Sequence, residues 1–291
     1  MKSPLLSFLK LFFAISSRFV PFVAVRAAEK LFTTPFHSRR RNVEKEMLER
    51  AEKFIIPMEG HQLTGYRWGS ESDPAILFVH GWTATATCFV SFIDPLLEKG
   101  YQVIAYDSIA HGETSGTSVS LTEWADTVIA TMDKIGKVHC IVGHSLGSGA
   151  IVIASSLELK TDKIILISPV ADITKVTAQF AKALSIPERI IDKMHDYAWK
   201  KYHASASRYG ANWNDIFESD FNVPTLIIHD IHDKEIDVSN ARKMASQWSW
   251  AELIETKRLG HRRILLNPDV ISAALKFVME PNYAVKDHVI S

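Results

Sequence analysis

Short apolar runs alternate with stretches of helical periodicity along most of the chain from about residue 53. The runs are dense in Val, Ile and Leu without alternating polar residues, which is typical of strands buried on both faces of a parallel sheet. This alternation of strands and helices predicts right-handed βαβ crossovers and a doubly wound α/β sheet. The predicted strands are residues 52–58, 63–69, 75–81, 101–107, 138–143, 163–169, 224–230 and 251–259, of which the first two are expected to pair antiparallel. The predicted helices lie near residues 86–99, 121–135, 146–159, 238–248 and 266–279.

Residues 171–223 interrupt this alternation, because they contain no strand-like run. Two stretches, 173–184 and 191–202, carry apolar residues at helical spacing. Eight aromatic residues fall in the segment, a higher density than the 10% of the whole chain. We therefore expect a small helical cap with an apolar wall over one edge of the sheet.

The beginning of the chain differs in charge from the rest. Residues 1–50 contain ten Lys or Arg and four acids, so they carry a net charge of +6 and the remainder carries −6. Residues 1–28 are apolar and lack acids, but three basic residues divide them into pieces shorter than the roughly 20 residues that cross a bilayer. Three interpretations fit: an export signal cleaved near Ala27 or Ala28, a basic apolar helix lying on an anionic membrane, or an extra helix packed on the domain.

The composition is that of a globular protein, with 47% hydrophobic and 23% charged residues among 291. We expect an α/β core of residues 51–170 and 224–291, the cap of residues 171–223, and an N-terminal helical extension of residues 1–50. A formal net charge of zero gives no excess positive charge for binding nucleic acid. Two cysteines are too few for a disulfide framework and are expected to be reduced. Reduced cysteines favour a cytoplasmic location. Residues 1–28 leave membrane association or export open as alternatives.

A glycine-rich turn, Gly143-His144-Ser145-Leu146-Gly147, joins the fifth predicted strand to a helix-like stretch. A strand-to-helix turn of this G-x-S-x-G type holds its serine in a strained conformation and projects the hydroxyl above the edge of the sheet. The flanking positions need glycine because a β-carbon would collide with neighbouring backbone. The following helix also directs the positive end of its dipole at the serine. Ser145 is therefore a candidate nucleophile.

A serine hydroxyl needs a base to remove its proton, and the base needs an acid to orient it. His261 follows the last predicted strand and is the candidate base. Three aspartates follow the seventh strand, of which Asp230 lies close to the strand end, Asp233 lies a few residues into the loop, and Asp237 comes later. We prefer Asp233, because it has the reach to meet a histidine from the neighbouring loop. The order serine, acid, histidine occurs in one of the known arrangements of such enzymes.

An oxyanion formed by attack on a carbonyl needs backbone N–H donors, each contributing about 3 kcal/mol in the transition state. Leu146, at the start of the helix after Ser145, supplies one candidate. Trp82, in the loop after the third predicted strand, supplies the second.

Five segments in this order resemble the α/β-hydrolase superfamily over roughly residues 53–280. They are FVHGW (78–82), YDSIAHGETSG (106–116), GHSLGSG (143–149), IIHDIHD (227–233) and GHRRIL (260–265). The resemblance implies an α/β-hydrolase fold, with a mostly parallel central sheet of about eight strands, flanking helices and a cap inserted after strand six. It also implies Ser145 as nucleophile, Asp233 as acid, His261 as base, and Trp82 and Leu146 as oxyanion donors.

The sequence departs from the pattern of this superfamily at two positions. Asp230 follows His229 where glycine is common, which leaves the choice of triad aspartate open, and Asp172 is a rival because some relatives carry the acid there. Ala110 stands where glycine is usual before His111.

These residues predict a serine hydrolase that cleaves carboxylic esters, resembling esterases and lipases, without cofactor or metal. Acyl transfer or carbon–carbon bond hydrolysis on the same triad are alternatives, and a non-catalytic binding protein is a third. The aromatic cap favours an apolar small-molecule substrate, with His144, Trp199 and Trp213 as candidate pocket residues. The His and Asp residues of 229–233 resemble a metal cluster, but we expect Asp233 to be engaged by His261.

Overall fold

The structure is a computed structural model that describes residues 4–36, 39–157, 159–210 and 222–280. Its strands are β1 (Glu52–Met58), β2 (His61–Trp68), β3 (Ala75–Val79), β4 (Gln102–Asp107), β5 (Val138–His144), β6 (Thr161–Ile167), β7 (Thr225–Asp230) and β8 (Ala251–Thr256). They form one sheet in the order β1-β2-β4-β3-β5-β6-β7-β8, in which β2 runs antiparallel to both of its neighbours and the other pairs are parallel. The predicted mostly parallel sheet of about eight strands is confirmed.

Helices cover both faces of this sheet. They are α1 (Pro4–Phe19), α2 (Pro21–Thr33), α3 (Asn42–Glu49), α4 (Val90–Leu97), α5 (Leu121–Ile135), α6 (Leu146–Ser155), α7 (Ile173–Leu184), α8 (Glu188–Lys201), α9 (His203–Ala206), α10 (Ser239–Gln247), α11 (Gly260–Arg263) and α12 (Pro268–Met279). Among the described residues, no helix is both long enough and apolar enough to cross a bilayer.

The apolar runs of the strands follow from burial on two sides. In β3, Leu77 and Val79 join the cluster beneath α5 and α6, whereas Ile76 and Phe78 join the cluster beneath α4 and α12. Successive side chains of a strand point to opposite faces, so a strand covered on both faces needs apolar residues throughout. Burial on both faces therefore accounts for the missing polar alternation.

Some elements end earlier than the sequence pattern predicts. Strand β8 ends at Thr256 rather than at residue 259, because Arg258 adopts a left-handed conformation with φ of 64°. The N–H of Leu259 then donates to the carboxylate of Asp230 at 2.9 Å and leaves the ladder. This bend turns the chain into α11 above the carboxyl end of the sheet.

The predicted cap insertion after strand six is confirmed, since α7, α8 and α9 lie between β6 and β7. Residues 211–221 of the predicted cap lie outside the described residues. Helices α1 and α2 pack on this cap: Phe13 and Ala28 are fully buried in a cluster with Ile190 and Met194 of α8. The part of the cap that the structure describes is thus extended by two helices from the beginning of the chain.

The chain between α2 and α3 is tied to the core by a buried ion pair. Arg40 Nη2 lies 2.6 Å from Asp107 Oδ2, at the end of β4, and the hydroxyl of Tyr66 donates to the same oxygen at 3.0 Å. Asp107 is fully buried, so the guanidinium compensates a carboxylate that water does not reach. Nearby, the indole N–H of Trp68 donates to the carbonyl of Met47 at 2.9 Å, which fixes α3 on the sheet.

Candidate active site

Ser145 lies in the sharp turn between β5 and α6. Its φ of 57° and ψ of −124° place a non-glycine residue in a conformation that costs on the order of 1–3 kcal/mol. The turn is held by its N–H, which donates to the carbonyl of Ile167 at 2.9 Å. A β-carbon at Gly147 would overlap the carbonyl oxygens of Val79 and His80, and one at Gly143 would lie 2.7 Å from the Cα of Ser148. Both glycines are therefore required by close backbone approach.

The structure brings Ser145, His261 and Asp233 together in a chain of hydrogen bonds. Ser145 Oγ lies 2.9 Å from His261 Nε2, and His261 Nδ1 lies 2.7 Å from Asp233 Oδ2. His261 comes from α11, after β8, and Asp233 from the turn after β7. All three side chains are buried. Water therefore competes little for these bonds, which makes their geometry well defined.

Asp233 is arranged to remain an anion. Burial alone would raise its pKa, but the hydrogen bond from His261 and the charge of that ring outweigh burial and lower it. Its other oxygen, Oδ1, accepts the backbone N–H groups of Glu235 and Ile236 at 2.8 and 2.9 Å. A carboxylate held in this way can orient one tautomer of an imidazole and stabilise its positive charge.

The competing aspartates have other partners. Asp230 accepts from Thr256 Oγ1 and from the N–H of Leu259, so it braces the loop that carries His261. Asp237 accepts from the N–H of Ser239 ahead of α10. Asp172 caps the N-terminus of α7, where the N–H of Thr174 donates to it at 2.9 Å.

The loop that carries Trp82 runs directly against the serine. A β-carbon at Gly81 would lie 2.9 Å from the Cβ of Ser145, so only glycine permits this approach. Thr83, with φ of 56°, donates its N–H to His111 Nε2 at 3.3 Å, which holds the loop. Trp82 and Leu146 both line the cavity above Ser145, on the two backbone segments from which oxyanion donors are expected.

Two further histidines, unlike His261, brace the backbone of the site. His144 Nε2 donates to the carbonyl of His261 at 2.8 Å, and burial lowers the pKa of His144 to about 3. His80 donates from Nδ1 to the carbonyl of Gly81 and accepts the N–H of Ser108 at Nε2, and burial lowers its pKa to about 4. Both rings are neutral at pH 7 and position the loops on either side of Ser145.

Ala110, the second departure noted in the sequence, has φ of 62°. This is the left-handed region in which glycine is favoured, so the alanine carries a small backbone strain. It leads into His111, whose Nε2 accepts from the Trp82 loop.

Ser145 and His261 form the floor of an apolar cavity of 480 Å³, within the range of about 300–1,000 Å³ that small-molecule sites occupy. Its walls come from three parts of the chain: the N-terminal segment, the sheet edge with α5, and the cap. The apolar lining includes Leu31, Phe32, Phe36, Val119, Leu121, Trp124, Ile173, Val176, Phe180, Met194 and Ala198.

Two of the three predicted pocket residues, Trp199 and His144, do not line this cavity. Trp199 does not line this cavity; it packs against the core cluster, because Met194 and Ala198 occupy the face of α8 that points at the cavity. His144 lines a second cavity instead, and Trp213 lies outside the described residues.

The second cavity, of 340 Å³, meets the first at Ser145, His261 and Trp82. Its rim is basic, with Arg39, Arg41, Arg262 and Arg263 outnumbering Glu44 and Glu235. The serine therefore lies at the junction of an apolar chamber and a polar one.

The N-terminal side chains of the first cavity were not expected from the sequence. Phe32 packs edge-on against Phe180 of the cap, with ring centroids 5.3 Å apart, and Phe36 lies at the rim. The apolar periodicity of residues 21–33 could have indicated an amphipathic helix, but it does not say which surface that helix covers. Among the described residues, no group of three or more His, Cys, Asp or Glu is arranged to hold a metal ion.

The comparisons with known proteins agree with this geometry. The alpha/beta hydrolase family profile matches residues 76–274. A serine hydrolase-like protein of Dictyostelium discoideum is 32% identical over 124 residues, which are 40% of this chain and 34% of that protein. Protein ABHD8 of Homo sapiens is 22% identical over 243 residues, which are 71% of this chain and 55% of that protein. The chain thus spans about a third to about half of the length of these relatives.

A structural comparison supports the fold independently. The solved structure of an esterase from Pyrococcus furiosus superposes with a TM-score of 0.63 and 19% identity, covering 84% of this chain and 98% of the esterase. At this identity the likeness concerns the fold alone. Because the family profile also covers most of the sheet and its helices, the chain belongs to the alpha/beta hydrolase family.

Proposed function

We propose that this protein hydrolyses carboxylic esters through a covalent acyl-enzyme formed on Ser145. The observation that carries the proposal is the pair of hydrogen bonds, 2.9 Å from Ser145 Oγ to His261 Nε2 and 2.7 Å from His261 Nδ1 to Asp233 Oδ2. A serine in this setting has a base within reach, and the base has a buried carboxylate behind it.

In the first half of the reaction, Ser145 Oγ attacks the acyl carbonyl carbon while His261 Nε2 accepts the hydroxyl proton. Asp233 keeps the other proton on Nδ1 and stabilises the imidazolium that forms. The carbonyl oxygen becomes an oxyanion, for which the N–H groups of Leu146 and Trp82 are the proposed donors. Collapse of the intermediate breaks the ester C–O bond, and His261 returns its proton to the departing alkoxide.

In the second half, a water molecule replaces the alcohol. His261 takes a proton from this water as its oxygen attacks the acyl carbon, and the same proton then returns to Ser145 Oγ. The products are one alcohol and one carboxylic acid, and the side chains regain their starting protonation states.

The two cavities support a division of the substrate. The larger one is lined mostly by aliphatic and aromatic side chains, which favours an apolar acyl chain. The smaller one has threonines and arginines at its walls, which favours the more polar alcohol portion. We therefore propose an ester with an apolar acyl chain of medium to long length.

The test uses Ser145→Ala, with the substitution Ser148→Ala at a buried serine in the first turn of α6 as matched control. Hydrolysis of p-nitrophenyl octanoate should fall by about 10⁴–10⁶ in Ser145→Ala and stay near wild type in the control. A fluorophosphonate probe should label the wild type and the control but not Ser145→Ala. Equal rates in all three proteins would overturn the proposal. Transfer of the octanoyl group to an added alcohol, measured by product analysis, would redefine the enzyme as an acyltransferase.

A further inference from the structure

Helices α1 and α2 expose an apolar surface that is unusual in its extent. Of the fifteen large apolar side chains exposed in the described residues, eight lie between residues 5 and 23, so exposure is concentrated there. On α1 they recur at steps of three or four residues, which places them on one face of the helix. This apolar face consists of Leu5, Phe8, Leu11, Ile15, Phe19, Val20, Phe22 and Val23.

The exposed charged side chains of α1 and α2 beside the apolar face are all basic, and on the adjoining part of α8 Lys193 and Lys200 outnumber Asp196 around Phe22. Arg18 lies 6.0 Å from the ring centroid of Phe19, and Arg26 lies 5.4 Å from that of Phe22, so both guanidinium groups accompany exposed rings. Lys30 is exposed further along α2. The first acid of the chain, Glu29, is buried and accepts hydrogen bonds from Lys201 and Tyr202 of the cap, so it does not offset them on the surface.

The opposite face of the two helices packs on the cap. Phe13 and Ala24 are fully buried in the cluster shared with α7 and α8. Arg189 of α8 donates to the carbonyl of Ser17 at 2.8 Å. The helices are therefore held on the cap by packing and polar contacts, and the apolar face points outward together with its flanking basic residues. A surface that is pre-ordered in this way loses little conformational entropy when it binds.

We propose that the apolar face of α1 and α2 docks on the surface of an anionic lipid bilayer. Phenylalanine and leucine side chains would enter the boundary between headgroups and acyl chains, and the arginines and lysines would contact lipid phosphates. Charge decides against a second copy of this chain as the occupant. A two-fold interface would bring the same cationic groups of both copies face to face, whereas an anionic bilayer supplies the opposite charge.

The docking surface continues into the wall of the candidate active site. Helix α2 carries Phe22 and Val23 of the apolar face at its beginning, and Leu31 and Phe32 of the cavity wall at its end. Phe36, which is 73% exposed, lies at the cavity rim. If the proposed ester hydrolysis holds, as this step assumes, an apolar ester dissolved in the bilayer meets the cavity without passing through water.

Membrane docking is tested by flotation of the purified protein with vesicles, a readout that does not depend on catalysis. Two compositions are compared, phosphatidylcholine alone and phosphatidylcholine with an equal amount of phosphatidylglycerol. We expect binding to the second, weakened by added salt. The double variant Phe19→Gln/Phe22→Gln should lower this affinity roughly a hundredfold, whereas Ile55→Gln, an exposed apolar residue on β1, should leave it unchanged. Unaltered circular dichroism and hydrolysis of a soluble ester would show that the variants fold.

The contribution of charge is tested separately. Arg18→Gln/Arg26→Gln should weaken binding to phosphatidylglycerol vesicles by roughly thirtyfold, while Lys99→Gln/Lys134→Gln should not. Absence of flotation with either vesicle, or equal flotation of wild type and Phe19→Gln/Phe22→Gln, would overturn the proposal. A wild-type dimer that dissociates in Phe19→Gln/Phe22→Gln, measured by sedimentation velocity, would also overturn it by assigning the face to contacts between copies.

Discussion

The sheet edge that carries Ser145 and the helical roof above it are built in different ways. Ser145, Asp233 and His261 each lie within a few residues of a strand end, so the sheet sets their relative positions. The roof is made of α1 and α2 together with the cap, which come from distant parts of the sequence. A rigid sheet suits groups that must meet within hydrogen-bonding distance, whereas a separately packed roof can vary in shape without disturbing them.

The two regions also differ in how polar groups are used. At the sheet edge, buried carboxylates such as Asp107 and Asp233 accept several hydrogen bonds, and the buried rings of His80 and His144 stay neutral. The roof is held by apolar packing and by few polar contacts, among them the bonds of Glu29 to α8. Substitutions at the edge should therefore affect catalysis and global stability, and those in the roof should affect selectivity.

The largest expected effect comes from changing Asp233, the proposed orienting acid. Asp233→Asn keeps the shape of the side chain but favours the wrong tautomer of His261, so kcat for p-nitrophenyl octanoate should fall by about 10⁴. Asp172→Asn, which changes only the cap of α7, is the matched control and should keep kcat within a few-fold. A large loss in Asp172→Asn with little loss in Asp233→Asn would assign the acid to the roof instead.

The next largest effect is expected on stability, from breaking the ion pair between Arg40 of the N-terminal segment and Asp107 of the sheet. Arg40→Met leaves the fully buried carboxylate of Asp107 without its cation, and should lower the free energy of unfolding by about 3–5 kcal/mol in urea titrations. Arg50→Met breaks an ion pair with Asp94 in which both side chains are about half exposed, and should cost less than about 1 kcal/mol. Similar losses of unfolding free energy in both variants would mean that the buried ion pair contributes no more to stability than the exposed one.

The neutral histidines of the sheet edge predict acid sensitivity. The pKa of His80 is about 4 in the folded state and about 6.5 when unfolded, so below pH 6.5 the unfolded chain binds a proton that the native state does not. Stability present above pH 6.5 is thus lost as the pH falls, by about 1.4 kcal/mol per pH unit for this residue until about pH 4. Urea titrations at a series of pH values should show that the free energy of unfolding of His80→Gln falls less steeply between pH 6 and pH 4 than that of the wild type. Above pH 7 the free energies of unfolding of the two proteins should change with pH in the same way, and this range serves as the control.

The smallest predicted effect concerns the roof. Ala198→Trp introduces a large ring into the apolar cavity, so kcat/KM for a decanoyl ester should fall at least about tenfold relative to an acetyl ester. Ala273→Trp, a half-buried position on α12 that lines neither cavity, should leave the ratio unchanged. An unchanged ratio in Ala198→Trp would place the acyl chain elsewhere, for example in the basic cavity.

Much of the sheet edge could be predicted from the sequence, for a local reason. Where a candidate functional loop follows a strand directly, the apolar run of the strand and the motif of the loop lie within a few residues of each other. The run from Val138 to Gly147 is an example. The side chains of the pocket could not be predicted in the same way. Trp199 and Ala198 are neighbours in sequence, yet only the alanine faces the cavity, because the rotation of α8 is set by its packing on α1 and α2.

The sequence by itself determined the parallel sheet, the cap insertion and the candidate residues at strand ends, because periodicity and turn chemistry act over short distances. Tertiary structure decided what covers the site. It folded the basic, apolar N-terminal helices onto the cap, joined Phe32 to the cavity wall, and left Phe19 and Phe22 facing outward. Apolar periodicity alone does not distinguish a face that packs on the protein from one that meets solvent or lipid, since burial of either removes similar apolar area from water.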